Sequence, residues 1–193
     1  VIGGAEALSA CLRAESRRGG SVGDLVATND LRLVVEPGRS LLDQGGFSLF
    51  RVRDTRENRQ GHGLVTVDGQ SFSLSEQWFG SEFLPDPVLL RRGNSNARPA
   101  RYAAAVAGDS CLDSDMLSWR KVPFDGRPAP GDLIAYLNTA GYQMDSNESP
   151  FHRRPLPLKA AAWREGGAYA WCLDTAYAAA RPVRQAEERI DLP

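Results

Sequence analysis

Phe47-Ser48-Leu49-Phe50-Arg51-Val52-Arg53 alternates apolar and polar side chains. A strand sends successive side chains to opposite faces, so this pattern predicts a strand with one face in a core. The polar stretch Asp54–Gly63 then reads as a hairpin loop. Leu64–Val67 reads as the returning strand, closed by Asp68-Gly69. Ala103–Ala107, Leu133–Leu137, Leu158–Trp163 and Ala168–Leu173 are further predicted strands, separated by turns such as Pro130-Gly131-Asp132 and Glu165-Gly166-Gly167. Short strands in series with Gly and Pro turns predict a mostly β domain for this part of the chain.

The N-terminal part has a different texture. Ala5–Arg18 reads as a helix, with Leu8, Cys11 and Leu12 at helical spacing and Gly19-Gly20 to end it. Ser21–Asp30 reads as a loop or short turn. Leu31–Val35 is predicted as a buried strand, stopped by Pro37 and Gly38. Ser40–Gln44 predicts a helical turn, and Gln185–Asp191 a weak C-terminal helix or tail. The expected organisation is an α/β piece over 1–45 and a β domain over 46–193. A helix and one strand cannot bury both faces of that strand. The 1–45 piece is therefore expected to need the rest of a barrel from outside these residues.

Composition narrows the function classes. The net charge of −1 gives no general attraction to nucleic acid or to an anionic membrane, so neither is expected as a partner. No apolar stretch reaches the roughly 18 residues needed to span a bilayer. The three cysteines are widely spaced and odd in number, which suits a reducing, cytoplasmic setting rather than a disulfide framework. No metal site is predicted. Of 23 basic residues only Lys121 and Lys159 are lysines. The chain begins at Val1, which suggests a processed product or a fragment.

Three short motifs carry chemistry. In Glu36-Pro37-Gly38-Arg39 the glycine permits close backbone approach and offers an N–H to phosphate, while the arginine can grip carboxylate or phosphate. A plain strand-to-loop turn with a surface arginine fits the same residues. In Gly108-Asp109-Ser110-Cys111-Leu112-Asp113-Ser114-Asp115 a lone thiol stands among acids and hydroxyls after an apolar strand. It suits either proton transfer or a small buried hydrophobe. The third motif runs from Pro130-Gly131-Asp132 to Ala140-Gly141-Tyr142, where the Tyr142 hydroxyl either meets a phosphate or sits at a core rim.

Taken in order, Glu36-Pro37-Gly38-Arg39, Val67-Asp68-Gly69, the Gly108…Cys111…Asp115 series, Pro130-Gly131-Asp132…Ala140-Gly141-Tyr142 and Ser146-Asn147 form a longer pattern. It resembles the C-terminal half of the alanine-racemase-like (fold type III) pyridoxal 5′-phosphate (PLP) decarboxylases, the group of diaminopimelate and ornithine decarboxylases. The resemblance covers nearly the whole chain. It implies the last helix and strand of a truncated TIM-like α/β barrel, followed by a β-sandwich or barrel domain. It also implies a head-to-tail homodimer in which two subunits build each active site.

By the same resemblance, Gly38 contacts the PLP phosphate and Arg39 lies near that phosphate and the substrate carboxylate. Tyr142 reaches the phosphate or the cofactor ring. Cys111 enters the partner subunit's active site and manages protonation after CO₂ departs. The family's Schiff-base lysine lies upstream of Glu36-Pro37-Gly38-Arg39, whereas Lys121 and Lys159 lie downstream. The chain alone is therefore expected to be incomplete and inactive. Two departures bear on substrate. Leu112 stands where the family carries an acid that reads a distal ammonium, with Asp113 as a partial substitute. Ser75-Glu76-Gln77-Trp78-Phe79 stands where the diaminopimelate enzymes carry Arg-x-x-x-Tyr, which puts Trp78 in a distal-carboxylate position or simply in the core. Arg98-Pro99-Ala100-Arg101-Tyr102 lies too close to the Cys111 loop to be that motif. The resulting expectation is part of an amino-acid decarboxylase with a non-standard substrate in specialised metabolism. An inactive decarboxylase-like interaction protein, or a racemase or epimerase of the same fold, are the alternatives.

Overall fold

The computed structural model describes residues 4–74, 85–92, 100–141 and 149–174, with Arg39 by its backbone alone. The chain divides into two compact units, Val1–Glu148 and Ser149–Pro193.

The first unit opens with α1 (Gly4–Arg13) and α2 (Val22–Thr28). α1 stops short of Arg18 because Gly19 and Gly20 take positive φ (84° and 71°) and turn the chain back, so that Glu15 bridges Ser21. α2 replaces the expected loop over Ser21–Asp30. Its start is a capping box: the Ser21 hydroxyl accepts the Asp24 N–H at 3.0 Å, and the Asp24 carboxylate accepts the Ser21 N–H at 2.9 Å. These two bonds hold a helix that has no buried residue.

Leu31–Val35 corrects the prediction of a buried strand. The segment pairs with no strand among the described residues, and its side chains are largely exposed (Leu31 55%, Val34 70%). A strand needs a hydrogen-bonded neighbour, and β-branched composition cannot substitute for one. Ser40–Gln44 begins as expected, in a 3-10 turn over Arg39–Leu41.

Six strands then form one sheet: β1 (Phe47–Glu57), β2 (Gly63–Val67), β3 (Pro87–Leu90), β4 (Tyr102–Ala107), β5 (Met116–Phe124) and β6 (Leu133–Leu137). Their order is β3-β6-β1-β2-β4-β5. All pairs are antiparallel except β2–β4. β1 is shared, pairing with β6 through Phe47–Arg51 and with β2 from Val52 on, and its register with β2 shifts between Val52 and Asp54. Such an irregularity bends a strand and lets one strand serve both halves of a curled sheet.

The two edges of the sheet are clasped by side chains rather than by a ladder. The Arg120 guanidinium on β5 donates to the Pro85 carbonyl at 2.8 Å and to the Asp86 carboxylate at 2.6 Å, both just ahead of β3. Arg91, just after β3, donates to the Asp125 carbonyl at 2.7 Å. The concave face holds the core: Phe50, Val52, Val65, Val67, Leu74, Val106, Leu117, Val122, Phe124, Ile134 and Tyr136 are buried. Phe50 and Tyr136 meet edge to face, with centroids 6.0 Å apart, and the Tyr136 hydroxyl bonds Ser118 on β5 at 2.8 Å.

The second unit contains an antiparallel hairpin of β7 (Ala160–Glu165) and β8 (Ala168–Leu173). Gly166 and Gly167 supply its turn with positive φ (57° and 91°), the geometry a two-residue hairpin requires.

Candidate functional site

The Gly108–Asp115 loop joins β4 to β5 and carries Cys111 at the surface. The thiol is exposed and forms no disulfide, which excludes the reading of Cys111 as a small buried hydrophobe. Leu112 and Asp113 are exposed beside it. The loop is built on Asp115, which is only 3% exposed. Its Oδ1 accepts the Ser71 N–H at 2.6 Å and its Oδ2 accepts the Ser110 N–H at 2.9 Å. A buried carboxylate is tolerated when backbone donors replace its water.

Gly108 has a steric reason. A Cβ there would overlap the Asp115 carboxylate. The Gly108 N–H also donates to the Asp115 carbonyl at 2.8 Å, closing the base of the loop.

The Val67-Asp68-Gly69 turn touches the same loop. The Asp109 N–H donates to the Gly69 carbonyl at 3.0 Å. Asp68 locks the turn to β1: its Oδ1 accepts the Arg51 N–H at 2.7 Å, and its own N–H donates to the Arg51 carbonyl at 2.9 Å. Two motifs 40 residues apart in sequence are therefore one hydrogen-bonded assembly.

An open cleft of about 430 Å³ lies along this assembly. Asp54, Arg56, Thr66, Ser110, Leu112 and Asp113 are among its lining residues. Asp54 and Arg56, two residues apart on β1, pair at 2.5 Å. That hydrogen bond from Arg56 holds the Asp54 carboxyl below its ordinary range, against the opposing effect of desolvation. Sequence reasoning missed this pair because both residues fell in a stretch read as a hairpin loop.

The other sequence-predicted residues fall elsewhere. Gly38 is exposed, and its carbonyl accepts the Leu41 N–H at 3.1 Å. Glu36, Pro37 and Gly38 do not line the cleft. Asp43–Gly45, after the Arg39–Leu41 turn, is linked to the end of β6. Asn138, at φ 58°, accepts the Gln44 N–H at 2.8 Å and donates to Asp43 at 3.2 Å, and the Ala140 N–H reaches the Gly45 carbonyl at 3.2 Å. The segment after that turn is thus tied to Asn138–Ala140. Pro130-Gly131-Asp132 serves the framework, since the Asp132 carboxylate accepts the Arg92 and Ala129 N–H groups, each at 3.0 Å. Lys121 is exposed on β5, and Lys159 precedes β7 in the second unit. Trp78, Arg98, Tyr142, Ser146, Asn147 and the expected tail Gln185–Asp191 lie outside the described residues.

No helix among the described residues is long and apolar enough to cross a membrane.

No family model matches the chain. The uncharacterized protein y4yA of Sinorhizobium fredii is 40% identical over 159 residues, covering 82% of this chain and 35% of that protein. A diaminopimelate decarboxylase of Mycobacterium bovis is 34% identical over 119 residues, covering 58% of this chain and 25% of the enzyme. Among solved structures, a diaminopimelate decarboxylase superposes with a TM-score of 0.59 at 22% identity, over 82% of this chain and 35% of that one. The Paramecium bursaria Chlorella virus arginine decarboxylase bound to agmatine superposes with a TM-score of 0.55 at 16% identity, over 68% of this chain and 35% of that one. The chain therefore spans about a third or less of the length of the relatives it matches, 35% of the first and 25% of the second. In sequence and in fold it is similar to the C-terminal part of the fold type III PLP decarboxylases, the diaminopimelate and ornithine decarboxylase group.

Proposed function

We propose that this chain is the C-terminal portion of a PLP-dependent amino-acid decarboxylase and that Cys111 is its proton donor. The observation that carries the reading is the exposed Cys111 thiol, held at the tip of a loop whose base is fixed to the sheet by a buried carboxylate. Residues 1–45 are read as the end of a PLP-binding α/β barrel and 46–193 as the β domain. The remaining barrel, including the Schiff-base lysine, comes from elsewhere in the protein or from a separate chain. Two copies pair head to tail, so that Cys111 serves the partner's site.

Gly38, Arg39 and Tyr142 are the residues proposed for the phosphate end of the cofactor. Gly38 is exposed at the entry to a 3-10 turn, with no side chain to bar close approach. Arg39 and Tyr142 add a guanidinium and a hydroxyl. PLP, when bound, supplies the electron sink that allows the bond to CO₂ to break. The chain's own part is to hold the phosphate, to orient the substrate carboxylate through Arg39, and to deliver a proton from Cys111 Sγ to the substrate carbon that has lost CO₂.

Leu112 and Trp78 shape the substrate reading. Leu112 is exposed beside Cys111 and lines the cleft. Leucine makes no ion pair with a distal ammonium, so the proposed substrate is an amino acid without one, of the kind met in specialised metabolism. Asp113, also in the cleft, supplies the nearest carboxylate in sequence. The exposed thiols of Cys11, Cys111 and Cys172 suit a reducing, cytoplasmic setting.

The test uses the PLP-reconstituted protein that carries this chain. It is expected to show a PLP absorbance band at the near-ultraviolet to visible edge and to release CO₂ from an amino acid. Loss of chirality with CO₂ retained would assign racemisation instead. Failure to bind PLP would overturn the reading in favour of a non-catalytic pairing role.

A further inference from the structure

We infer that Asp115 is the positioning residue for Cys111, fixing the loop that presents the thiol. The inference rests on the reading of Cys111 as a proton donor. The two residues that flank Cys111 are both bonded to Asp115. On one side the Ser110 N–H donates to Asp115 Oδ2 at 2.9 Å. On the other the Leu112 carbonyl accepts the Asp115 N–H at 3.1 Å. Cys111 therefore sits at the apex of a small ring closed through one residue.

That ring is anchored outside itself. Asp115 Oδ1 accepts the Ser71 N–H at 2.6 Å, a bond across 44 residues of sequence. Ser71 follows the Asp68-Gly69 turn, which Asp68 ties to β1 and Asp109 ties back to the loop. The carboxylate thus joins the loop to the sheet with one oxygen and braces the thiol with the other. Both oxygens meet backbone N–H groups, whose positions are set by the fold rather than by side-chain rotamers. Gly108 completes the device, since the carboxylate occupies the space over its Cα. A thiol that must deliver a proton to one carbon needs this fixity, because small misplacements of a reacting group cost rate steeply.

The inference separates two perturbations. Asp115→Asn keeps the side-chain size but turns one acceptor into an amide donor, which faces a backbone N–H and loses one bond. Gly108→Ala leaves the carboxylate in the chain but displaces it, and repeats the test if Asp115→Asn does not fold. Both are made in the PLP-loaded protein. Alkylation of Cys111 by iodoacetamide is followed by peptide mapping, with exposed Cys11 and Cys172 as references in the same molecule. As the loop loosens, Cys111 alkylation is expected to rise at least about threefold while Cys11 and Cys172 hold. The value of kcat is expected to fall about tenfold to a hundredfold with KM within about twofold. An unchanged Cys111 alkylation rate in the folded variant would overturn the inference about Asp115. A raised rate in these variants, with kcat unmoved both in them and in Cys111→Ala, would overturn the proton-donor reading instead.

Discussion

In the proposed function, Leu112 is the residue on which substrate choice turns. It stands next to the thiol, 38% exposed, at the rim of a cleft otherwise rich in carboxylates. An acid at this position would face the same cleft and could pair with a distal ammonium. Leu112→Asp is therefore expected to shift the ratio of kcat/KM toward amino acids with a distal amine by about tenfold or more, as one new charge-assisted bond does. Unchanged selectivity across a series of lysine-, ornithine- and norleucine-like substrates would remove Leu112 from the substrate site. That Leu112, Asp113 and Cys111 share one loop was legible in sequence because all three belong to one motif. The role of Asp115 was less legible. Its acid was visible in the motif, but bonds to Ser71 and Ser110 depend on how two distant turns meet.

At the scale of the element, sequence alternation located β1, β2, β4, β6 and β8 well. It missed β3 and β5, for a physical reason. Both carry proline, Pro87 and Pro123, and β5 has Arg120-Lys121 at its middle. Those residues suit edge strands, which lack a neighbour on one side, and β3 and β5 are the two edges of the sheet. Leu31–Val35 failed in the opposite direction, since its composition is strand-like but no described strand pairs with it. α2 was missed because its signal is the Ser21–Asp24 capping box rather than a periodic apolar face. That box makes a prediction. Bonds from Ser21, backbone first and then hydroxyl, hold the Asp24 carboxyl below its ordinary value. A carboxylate depressed in the folded state stabilises above its unfolded pKa and loses that contribution as pH falls through its folded value. Helical circular dichroism from α2 is thus expected to weaken below about pH 4. Ser21→Ala is expected to cost about 1 kcal/mol of stability at neutral pH and to flatten that acid transition. An acid transition identical in wild type and Ser21→Ala would contradict the assignment.

For the whole molecule, the curled sheet does two things at once. Its concave face buries the aromatic and β-branched core, and its β4–β5 connection lifts Cys111 into solvent on a loop braced from below. The sheet is completed by Arg120 and Arg91 reaching across from edge to edge. Gly38 does not line the cleft at Cys111. In the proposed arrangement those two features meet across a dimer rather than within one chain. The central claim is that Cys111 delivers the proton that replaces CO₂. The most direct measurement is decarboxylation of the accepted amino acid in D₂O, with the configuration of the deuterated carbon read by NMR, for wild type and Cys111→Ala. The account predicts one configuration in wild type, and in Cys111→Ala a mixed configuration with a rate lower by about a hundredfold or more. A single configuration and an unchanged rate in Cys111→Ala would contradict it.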